Sequence, residues 1–247
     1  MLYLQWKKTK GIKCLILITA FLIGTYSASA QLILHQEEHD AKQYYFGISL
    51  GISKTHFKTH LHSAFLEQDS IMVAEPLNSG GFALGLLATL RLTNRFELRF
   101  NPQLIFAERN LYYRLNPEFP PDLDFGYDVV KKVESVITTF PVHIKFRSDR
   151  IGNFRVYMLA GGKFDLDLAS NAKARKADDM IRIGPNSFGV EGGIGFNFYF
   201  PSFILSPEIK ISNGVNNLHS RNETLKYSRV LDNIQSRMIM FTIHIEG

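Results

Sequence analysis

Three histidines are the first residues of this chain whose spacing could support chemistry. His56, His60 and His62 lie in the stretch THFKTHLH. Imidazole nitrogens are frequent ligands of zinc and other transition metals. These rings would converge on one ion only if a loop curled around it, and no nearby acid or cysteine completes a tight cluster. The sequence therefore assigns no metal site, and the histidines are interpreted as solvated loop residues.

A hydroxyl and an imidazole form a second candidate pair, of the kind used by lipid-modifying barrel enzymes. Ser49, Ser53 and His244 share the polar face of two strands that become neighbours if the sheet closes. Nucleophilic catalysis needs the hydroxyl within hydrogen-bond reach of the base, and a third group that orients the base. The sequence contains no such triad, so it predicts no catalytic residues and no enzyme. His143, beside Lys145, is likewise predicted to be a satisfied interior histidine.

Two further motifs are not interpreted as cofactor-binding sites. The glycines of GVEGGIGF resemble a phosphate-binding loop, but they lie inside a strand rather than before a helix. The basic run Lys173, Arg175 and Lys176 could contact lipopolysaccharide phosphates, yet Asp178 and Asp179 follow at once, which favours a solvated mixed-charge loop. No cofactor is predicted.

The N-terminus has the features of an export signal. Lys7, Lys8, Lys10 and Lys13 precede an apolar run at positions 14–26, and Ala28-Ser29-Ala30 supplies a small-residue cleavage site. The apolar run is shorter than the roughly 20 residues that a transmembrane helix needs. Residues 1–30 are therefore predicted to be a cleaved signal peptide, residues 31–43 a short periplasmic segment, and residues 44–247 one outer-membrane barrel domain.

Removal of this signal changes the composition. The formal charge of +5 falls by the four lysines to +1, so the basic balance does not indicate nucleic-acid binding. The only cysteine, Cys14, leaves with the signal, which excludes disulfides and thiolate chemistry.

Eight segments of the mature chain alternate apolar and small or polar residues with a period of two, as extended strands do. In YYFGISLGIS, for example, Phe46, Ile48, Leu50 and Ile52 alternate with glycine and serine. The predicted strands lie at 44–53, 80–92, 96–108, 136–147, 154–166, 187–200, 203–211 and 237–246.

The connections between these strands alternate in length. Long ones are predicted at 58–79, 109–131, 167–186 and 213–235, and short ones at 93–95, 148–153 and 201–202. A polar stretch at 171–180 is the only candidate helix. Long loops on one rim and short turns on the other are typical of outer-membrane barrels. The sequence thus predicts an all-β fold, an eight-stranded antiparallel transmembrane β-barrel with short periplasmic turns and long extracellular loops.

The two faces of the strands favour lipid over a soluble barrel exported to the periplasm. The polar face is rich in glycine, which suits a narrow lumen, and charges on it are expected to pair: Glu97, Arg99, Glu191, Glu208, Lys210 and Arg237. Aromatic residues are predicted to ring both membrane interfaces. The periplasmic ring comprises Phe46, Phe96, Phe146, Phe154, Phe200 and Phe203, and the outer one Phe57, Phe106, Tyr112 and Tyr113. Eight strands leave no open channel, which disfavours a porin.

Several stretches resemble the PorT family, also called SprT in gliding relatives, an outer-membrane barrel component of the Bacteroidetes type IX secretion system. They include FELRFNPQLIFAERNLYY, FPVHIKFRS, GGKFDLDLASNAKARKADD and SRMIMFTIHIE, and the loop-spanning runs DLASNAKARK and SPEIKISNGVNN discriminate best. The resemblance implies a non-enzymatic role in cargo secretion, export of motility adhesins in gliding organisms, and contacts with other secretion components, outer-membrane lipid and lipopolysaccharide. The chain ends in Glu246-Gly247, whereas many barrels end in an aromatic residue.

Two other functions stay open. One is a generic small barrel with a structural or surface-binding role, and the other is a lipid-modifying barrel enzyme.

Overall fold

A computed structural model describes residues 33–63, 65, 70–118, 126–170, 183–219 and 226–247. The elements are a 3-10 helix (Glu37–Asp40), a short helix α1 (Lys226–Arg229) and ten strands. The strands are β1 (Tyr44–Leu61), β2 (Ile71–Leu77), β3 (Ser79–Arg91), β4 (Phe96–Phe100), β5 (Gln103–Leu115), β6 (Asp128–Arg147), β7 (Phe154–Asp167), β8 (Asn186–Tyr199), β9 (Ile204–Gly214) and β10 (Leu231–Glu246). Among the described residues, no helix is long and apolar enough to cross a membrane.

The strands close into an antiparallel ring of eight, which confirms the predicted fold. Each strand pairs with its neighbours in order from β3 to β10, and β10 and β3 both pair with β1, which closes the ring. The ten strands form a ring of eight because β2 and β3 lie end to end at one position of the ring, and β4 and β5 lie end to end at another. Only Asn78 separates β2 from β3.

The break between β4 and β5 comes at a proline. Both strands pair with β3 on one side and with β6 on the other. Pro102 has no N–H to donate to either neighbour, which interrupts the ladder. The carbonyl oxygen of Pro102 still accepts a hydrogen bond from the N–H of Leu86, at 3.0 Å, so the wall stays continuous across the break.

Alternation sorts the side chains onto two faces as predicted. Even-numbered residues of β1 up to Ile52 are apolar and face outward, with Ile52 64% exposed. Odd-numbered residues such as Ser49 and Ser53 face the lumen and are buried. The same division runs around the ring, and the largest fully buried side chains include Arg99, Lys145 and Lys210. The molecule is therefore apolar outside and charged inside over this height, the reverse of a soluble barrel.

One end of the ring carries short turns, as predicted; we call it the short-turn end. The connections there span residues 92–95, 148–153 and 200–203. Outward phenylalanines cluster at this end, with ring centroids 5.3 Å apart for Phe96 and Phe146 and 4.9 Å apart for Phe200 and Phe203. Phe46, which is 62% exposed, and the half-buried Phe154 also belong to the ring of aromatic residues predicted there.

At the opposite, long-loop end the strands extend much further than the sequence indicated. The predicted loop 58–79 contains the end of β1 and all of β2, and the predicted loop 109–131 contains the end of β5 and the start of β6. The connections between these strands are therefore shorter than predicted and comprise residues 62–70 and 116–127. In these stretches the outward-facing residues are polar. The sequence there therefore lacks the apolar stripe that indicates the other strands.

Above the apolar belt the ring divides into two leaves. Pairing of β1 with β3 ends at Thr55 and Ser79, and pairing of β6 with β7 ends at Ile137 and Asp167. Beyond these points one leaf contains β2 and the ends of β5 and β6. The other contains the ends of β1 and β10 with segments 213–219 and 183–187, joined for example by the N–H of Leu218 to the carbonyl of Ile234 at 2.8 Å.

A hydrophobic core fills the space between these leaves, and we call the two leaves and their core the head. The core residues are Phe57, Phe65, Ile71, Ala74, Leu111, Tyr113, Leu115, Val129, Val133, Ile183, Leu218, Tyr227, Val230, Leu231 and Ile234. Two sheets that pack face to face over apolar side chains are typical of a soluble β-sandwich. Two predicted interface aromatics, Phe57 and Tyr113, are therefore wrongly placed: both are fully buried in the head.

The remaining outer aromatics face outward, as predicted. Phe106 stacks on Phe82 with centroids 4.7 Å apart, and Tyr112 lies half-buried on the outer side of β5. The predicted signal peptide at 1–30, the candidate helix at 171–180 and the basic run Lys173, Arg175 and Lys176 lie outside the described residues.

Two adjacent glycines test which face of β7 is crowded. A Cβ on Gly161 would overlap the carbonyl oxygen of Val142, whereas one on Gly162 has no neighbour closer than 3.8 Å. We expect Gly161→Ala to lower the free energy of unfolding by about 1–3 kcal/mol through overpacking. Gly162→Ala is the matched control and should leave it unchanged. Denaturant unfolding of both variants in micelles checks this, and equal stabilities would contradict the assigned faces.

Candidate functional site

Ion pairs fill the lumen from the short-turn end upward. In the lowest layer the carboxylate of Glu97 lies 3.4 Å from Arg91 Nε, 3.4 Å from Lys145 Nζ and 3.2 Å from Arg147 Nη1. The hydroxyl of Tyr45 donates a hydrogen bond of 2.8 Å to the same carboxylate. Three cations and a phenol thus surround one buried acid.

The middle layer is organised by one arginine. Arg99 Nη1 lies 2.9 Å from Glu208 Oε2, and Arg99 Nη2 lies 2.9 Å from Glu246 Oε1. The hydroxyl of Tyr157 also donates to Glu208 at 2.8 Å, and Lys145 Nζ lies 4.1 Å from the centre of the Tyr157 ring. A guanidinium that joins two carboxylates from β9 and β10 fixes three strands in one register.

Two further layers complete the ladder of charges. His143 Nε2 lies 2.8 Å from Glu191 Oε2, and Lys163 Nζ lies 2.6 Å from Asp165 Oδ2. Nearest the head, Arg109 pairs with Asp167 at 2.6 Å, and its guanidinium lies 4.8 Å from the centre of the Phe57 ring. Charges of opposite sign are therefore paired along the whole height of the lumen, and the predicted interior pairing is confirmed for Glu97, Arg99, Glu191, Glu208 and Lys210. His143 lies in the interior, as predicted, but only its Nε2 is paired, because its Nδ1 is buried without a hydrogen bond.

Arg237 was assigned to the wrong face. It is exposed and shares the outward side of β10 with Ile239, because residues two apart on a strand point the same way. It therefore lies outside the lumen.

The Ser–His pair is brought together but not arranged for catalysis. The strands β1 and β10 are neighbours, as ring closure predicted, and of the two candidate serines Ser49 is the direct register partner of His244. The hydroxyl of Ser49, however, donates to Asn101 Oδ1 at 3.1 Å, while His244 Nε2 lies 3.5 Å from Glu208 Oε1. Neither imidazole nitrogen of His244 forms a hydrogen bond. The serine is consequently not activated, and the interior packing interpretation fits the geometry.

Two of the three metal candidates lie in a strand rather than in a loop. His56 and His60 are in β1, and His62 follows its end. At about 3.3 Å per residue along a strand, positions four apart are separated by roughly 13 Å, too far for two imidazoles to share one ion. Within the described residues, no group of three potential ligands is placed to hold a metal.

A folded segment of residues 35–43 closes the short-turn end, and sequence reasoning did not identify it. Asp40 of the 3-10 helix pairs with Arg155 at 2.7 Å, Arg150 at 3.3 Å and Arg147 at 3.5 Å. Arg91 donates to the backbone carbonyls of His39 and Asp40. Burial raises the pKa of Asp40, but the hydrogen bonds and charges of these arginines outweigh burial and lower it below its usual value.

His39 anchors the same segment by burial. Its ring is 2% exposed, lies 4.4 Å from the Tyr45 ring centroid and has no hydrogen bond on either nitrogen. Burial lowers the pKa of His39 from 6.5 to about 4; the charges of Lys42 and Arg91 act in the same direction, and those of Glu246 and Asp40 oppose it.

The fold and the lumen together define a class of protein. A closed ring of eight strands, apolar outside and charged inside, with short turns at one end, is an integral outer-membrane β-barrel. Residues 30–220 match the family model described as "Outer membrane protein beta-barrel domain", and the chain belongs to this family. The protein is accordingly an outer-membrane protein, with the short-turn end in the periplasm and the head outside the cell.

Three solved structures align with most of this chain. Each alignment covers 83% of this chain. Neisserial surface protein A is 11% identical, with 97% of its chain covered and a TM-score of 0.43. OprG from Pseudomonas aeruginosa is 12% identical, with 95% covered and a TM-score of 0.44. Ail of Yersinia pestis, in complex with the heparin analogue sucrose octasulfate, is 12% identical, with 100% covered and a TM-score of 0.36. No curated protein sequence matches the chain.

Replacement of Arg99 tests the ladder of charges. Arg99→Met leaves Glu208 and Glu246 buried without their shared cation, which should cost about 3–5 kcal/mol of folding free energy. Addition of Glu208→Gln and Glu246→Gln should recover part of this loss. The matched control, Arg95→Met, removes an exposed pair with Asp149 at 3.1 Å and should cost less than about 1 kcal/mol. Denaturant midpoints measure all three, and equal losses for Arg99→Met and Arg95→Met would contradict the assignment.

Acid should loosen the segment at residues 35–43. Because the pKa of His39 is lowered to about 4, the undocked segment binds a proton below pH 6.5 that the docked segment binds only near pH 4. Docking should therefore weaken as pH falls through this interval, by at most about tenfold per pH unit. Hydrogen exchange at the amides of Ala41 and Lys42, which donate to Glu38 and His39, measures it. His39→Phe should abolish this part of the pH dependence; an unchanged profile would contradict the proposed cause.

Proposed function

We propose that this protein is a non-enzymatic component of the type IX secretion system, similar to PorT, and is required for secretion of cargo proteins. Support comes from the resemblance of the stretches given above, which extend over most of the chain after residue 30. The more discriminating run SPEIKISNGVNN spans β9 and the start of the connection that follows it. In the other, DLASNAKARK, residues 171–176 lie outside the described residues.

The filled lumen is the observation that carries the non-enzymatic and non-porin part of this proposal. Arg99, Lys145 and Lys210 are each at most 1% exposed and pair with acids of the lumen: Arg99 and Lys210 with Glu208, and Lys145 with Glu97. A lumen filled in this way has no room for a passing polypeptide, since even an eight-stranded barrel without such pairs is filled by side chains. The barrel then acts as a partner of the secretion machinery through its two ends, and the conduit lies elsewhere.

Gene deletion in the host tests the proposal. Loss of the protein should abolish appearance of type IX cargo in the culture medium, and a plasmid copy should restore it. The two arms should have equal total cargo in whole-cell lysates, which separates secretion from expression. Cargo export that is unchanged by the deletion would overturn the assignment. Crosslinking in intact outer membranes, followed by mass spectrometry, should identify other secretion components as neighbours.

The head favours one alternative, a barrel with a surface-binding role. A two-leaf sandwich with its own core lies beyond the apolar belt, and the connections 62–70 and 116–127 join strands of this head. This alternative predicts normal secretion in the deletion strain and altered surface binding when residues 117–126 are replaced by a short Gly-Ser turn. Trimming must stop there, because residues 109–115 and 128–131 belong to β5 and β6. Comparison of lipid A spectra with and without the gene tests the remaining enzymatic alternative.

A further inference from the structure

The outward face of the barrel changes from apolar to polar at one height. On β1 the change falls between Ile52 and Lys54, and on β10 between Ile239 and Arg237. Register pairing places Lys54 beside Ile239 and Gly80, so these positions lie at nearly the same level around the ring. A transition of this kind marks the boundary between hydrocarbon and headgroups. Residues just beyond it meet the headgroups of the outer leaflet.

The charge at this level is divided between two sides of the barrel. Four basic residues lie on β1 and β10: Lys54, His56, Lys58 and Arg237. On the side formed by β5 and β6, Glu108 and Glu134 are direct register partners. At the boundary itself the outward charges are therefore cationic on β1 and β10 and anionic on β5 and β6, where the cation Lys132 lies two positions further from the apolar belt than Glu134.

Strand geometry brings the four basic residues onto one patch. His56 is directly opposite Arg237, and Lys54 and Lys58 lie two positions to either side of His56 on the same outward face. Positions two apart on a strand are separated by about 7 Å. Both Arg237 and Lys54 lie close enough to His56 to interact with it electrostatically. Among the described residues, no carboxylate forms an ion pair with any of the four.

The patch continues directly into the apolar belt. Leu50, Ile52, Ile239 and Phe241 lie below it on the same two strands and are 41–64% exposed. A cation cluster at the top of an apolar wall complements a molecule with an anionic head and hydrocarbon tails. Cationic residues near a membrane surface contribute about 1 kcal/mol each to attraction of anionic lipid.

We propose that Lys54, His56, Lys58 and Arg237 bind a phosphate group of an outer-leaflet lipid whose acyl chains lie against Leu50, Ile52, Ile239 and Phe241. The phosphate oxygens accept hydrogen bonds from Arg237 and the two lysines, and the neutral or charged imidazole of His56 supplies a further donor. The acidic pair Glu108 and Glu134 repels the same headgroup, so the lipid is held on the side of β1 and β10. This proposal is independent of the role in secretion.

Binding of defined lipids by the full-length mature protein tests the site. The purified barrel in neutral detergent is titrated with bisphosphorylated lipid A, with enzymatically dephosphorylated lipid A, and with inorganic phosphate, and bound lipid is counted by native mass spectrometry. We expect retention of the phosphorylated lipid, at least tenfold weaker retention of the dephosphorylated one, and no displacement by phosphate at equal concentration. Equal retention of the two lipids, or displacement by free phosphate, would overturn the proposal.

A quadruple variant replaces all four basic residues by glutamine: Lys54→Gln, His56→Gln, Lys58→Gln and Arg237→Gln. It should weaken retention of the phosphorylated lipid by at least tenfold, since removal of each cation lowers the affinity roughly fivefold. Two controls change exposed residues outside the patch. Lys132→Gln with Arg114→Gln removes exposed cations from the opposite leaf, and Glu108→Gln with Glu134→Gln alters charge at the same height. Both should bind as the unmodified protein does.

All substitutions face outward, and the heat-dependent electrophoretic mobility typical of folded barrels confirms folding of each variant. A quadruple variant that is folded and still binds the phosphorylated lipid normally would refute the site. Equal weakening by the Lys132 and Arg114 control would refute it too, since the effect would then follow net charge.

Discussion

A narrow barrel must neutralise every charge that it encloses, and this constraint governs the rest of the structure. An isolated charge in a lumen without free water costs several kcal/mol, so each must find a partner of opposite sign. Arg99 meets this requirement for two acids at once, at 2.9 Å from both Glu208 and Glu246. Because these partners come from different strands, the pairing also fixes the register of the ring. Polarity inside and apolarity outside are thus two consequences of the same closure.

Along each strand, alternate residues point inward and outward over the whole length. At the membrane boundary, however, the outward side chains change from apolar to polar and the inward ones from polar to apolar. Along β1 the inward positions pass from Ser49 and Ser53 to Phe57, while the outward positions pass from Ile52 to Lys54. Below the boundary, lipid solvates the apolar face and charges pair inside; above it, water solvates the polar face and an apolar core forms between the leaves. The hydrophobic effect acts on both halves, and only the identity of the surrounding solvent differs.

The alternation within each strand made three features predictable: the closed ring, the face of each strand that points into the lumen, and the interior position of His143. It also made the first and last strands neighbours, but the choice of Ser49 over Ser53 as the partner of His244 depends on a register that the pattern does not give. The alternation does not indicate how far along the barrel axis a residue lies. Phe57 and Tyr113 are therefore predicted at the membrane interface, although they belong to the core of the head. Arg237 was recoverable by counting back two residues from Ile239. The segment that closes the short-turn end depends on Asp40 meeting Arg147, Arg150 and Arg155, which lie more than a hundred residues away and have no local signal.

Ion pairs extend through the lumen from Glu97 to Asp167, and they limit how far the two ends of the barrel can move relative to each other. A twist or dilation of the ring would separate partners such as Arg99 and Glu208, and leave both charges buried without compensation. The wall is therefore stiff over the height of the belt. By contrast, among the described residues the strand pairing that joins the two leaves ends at Thr55 and at Ile137, and the segment at residues 35–43 is anchored chiefly by side chains. Conformational change is consequently expected in the head and in the segment at residues 35–43 rather than in the wall between them.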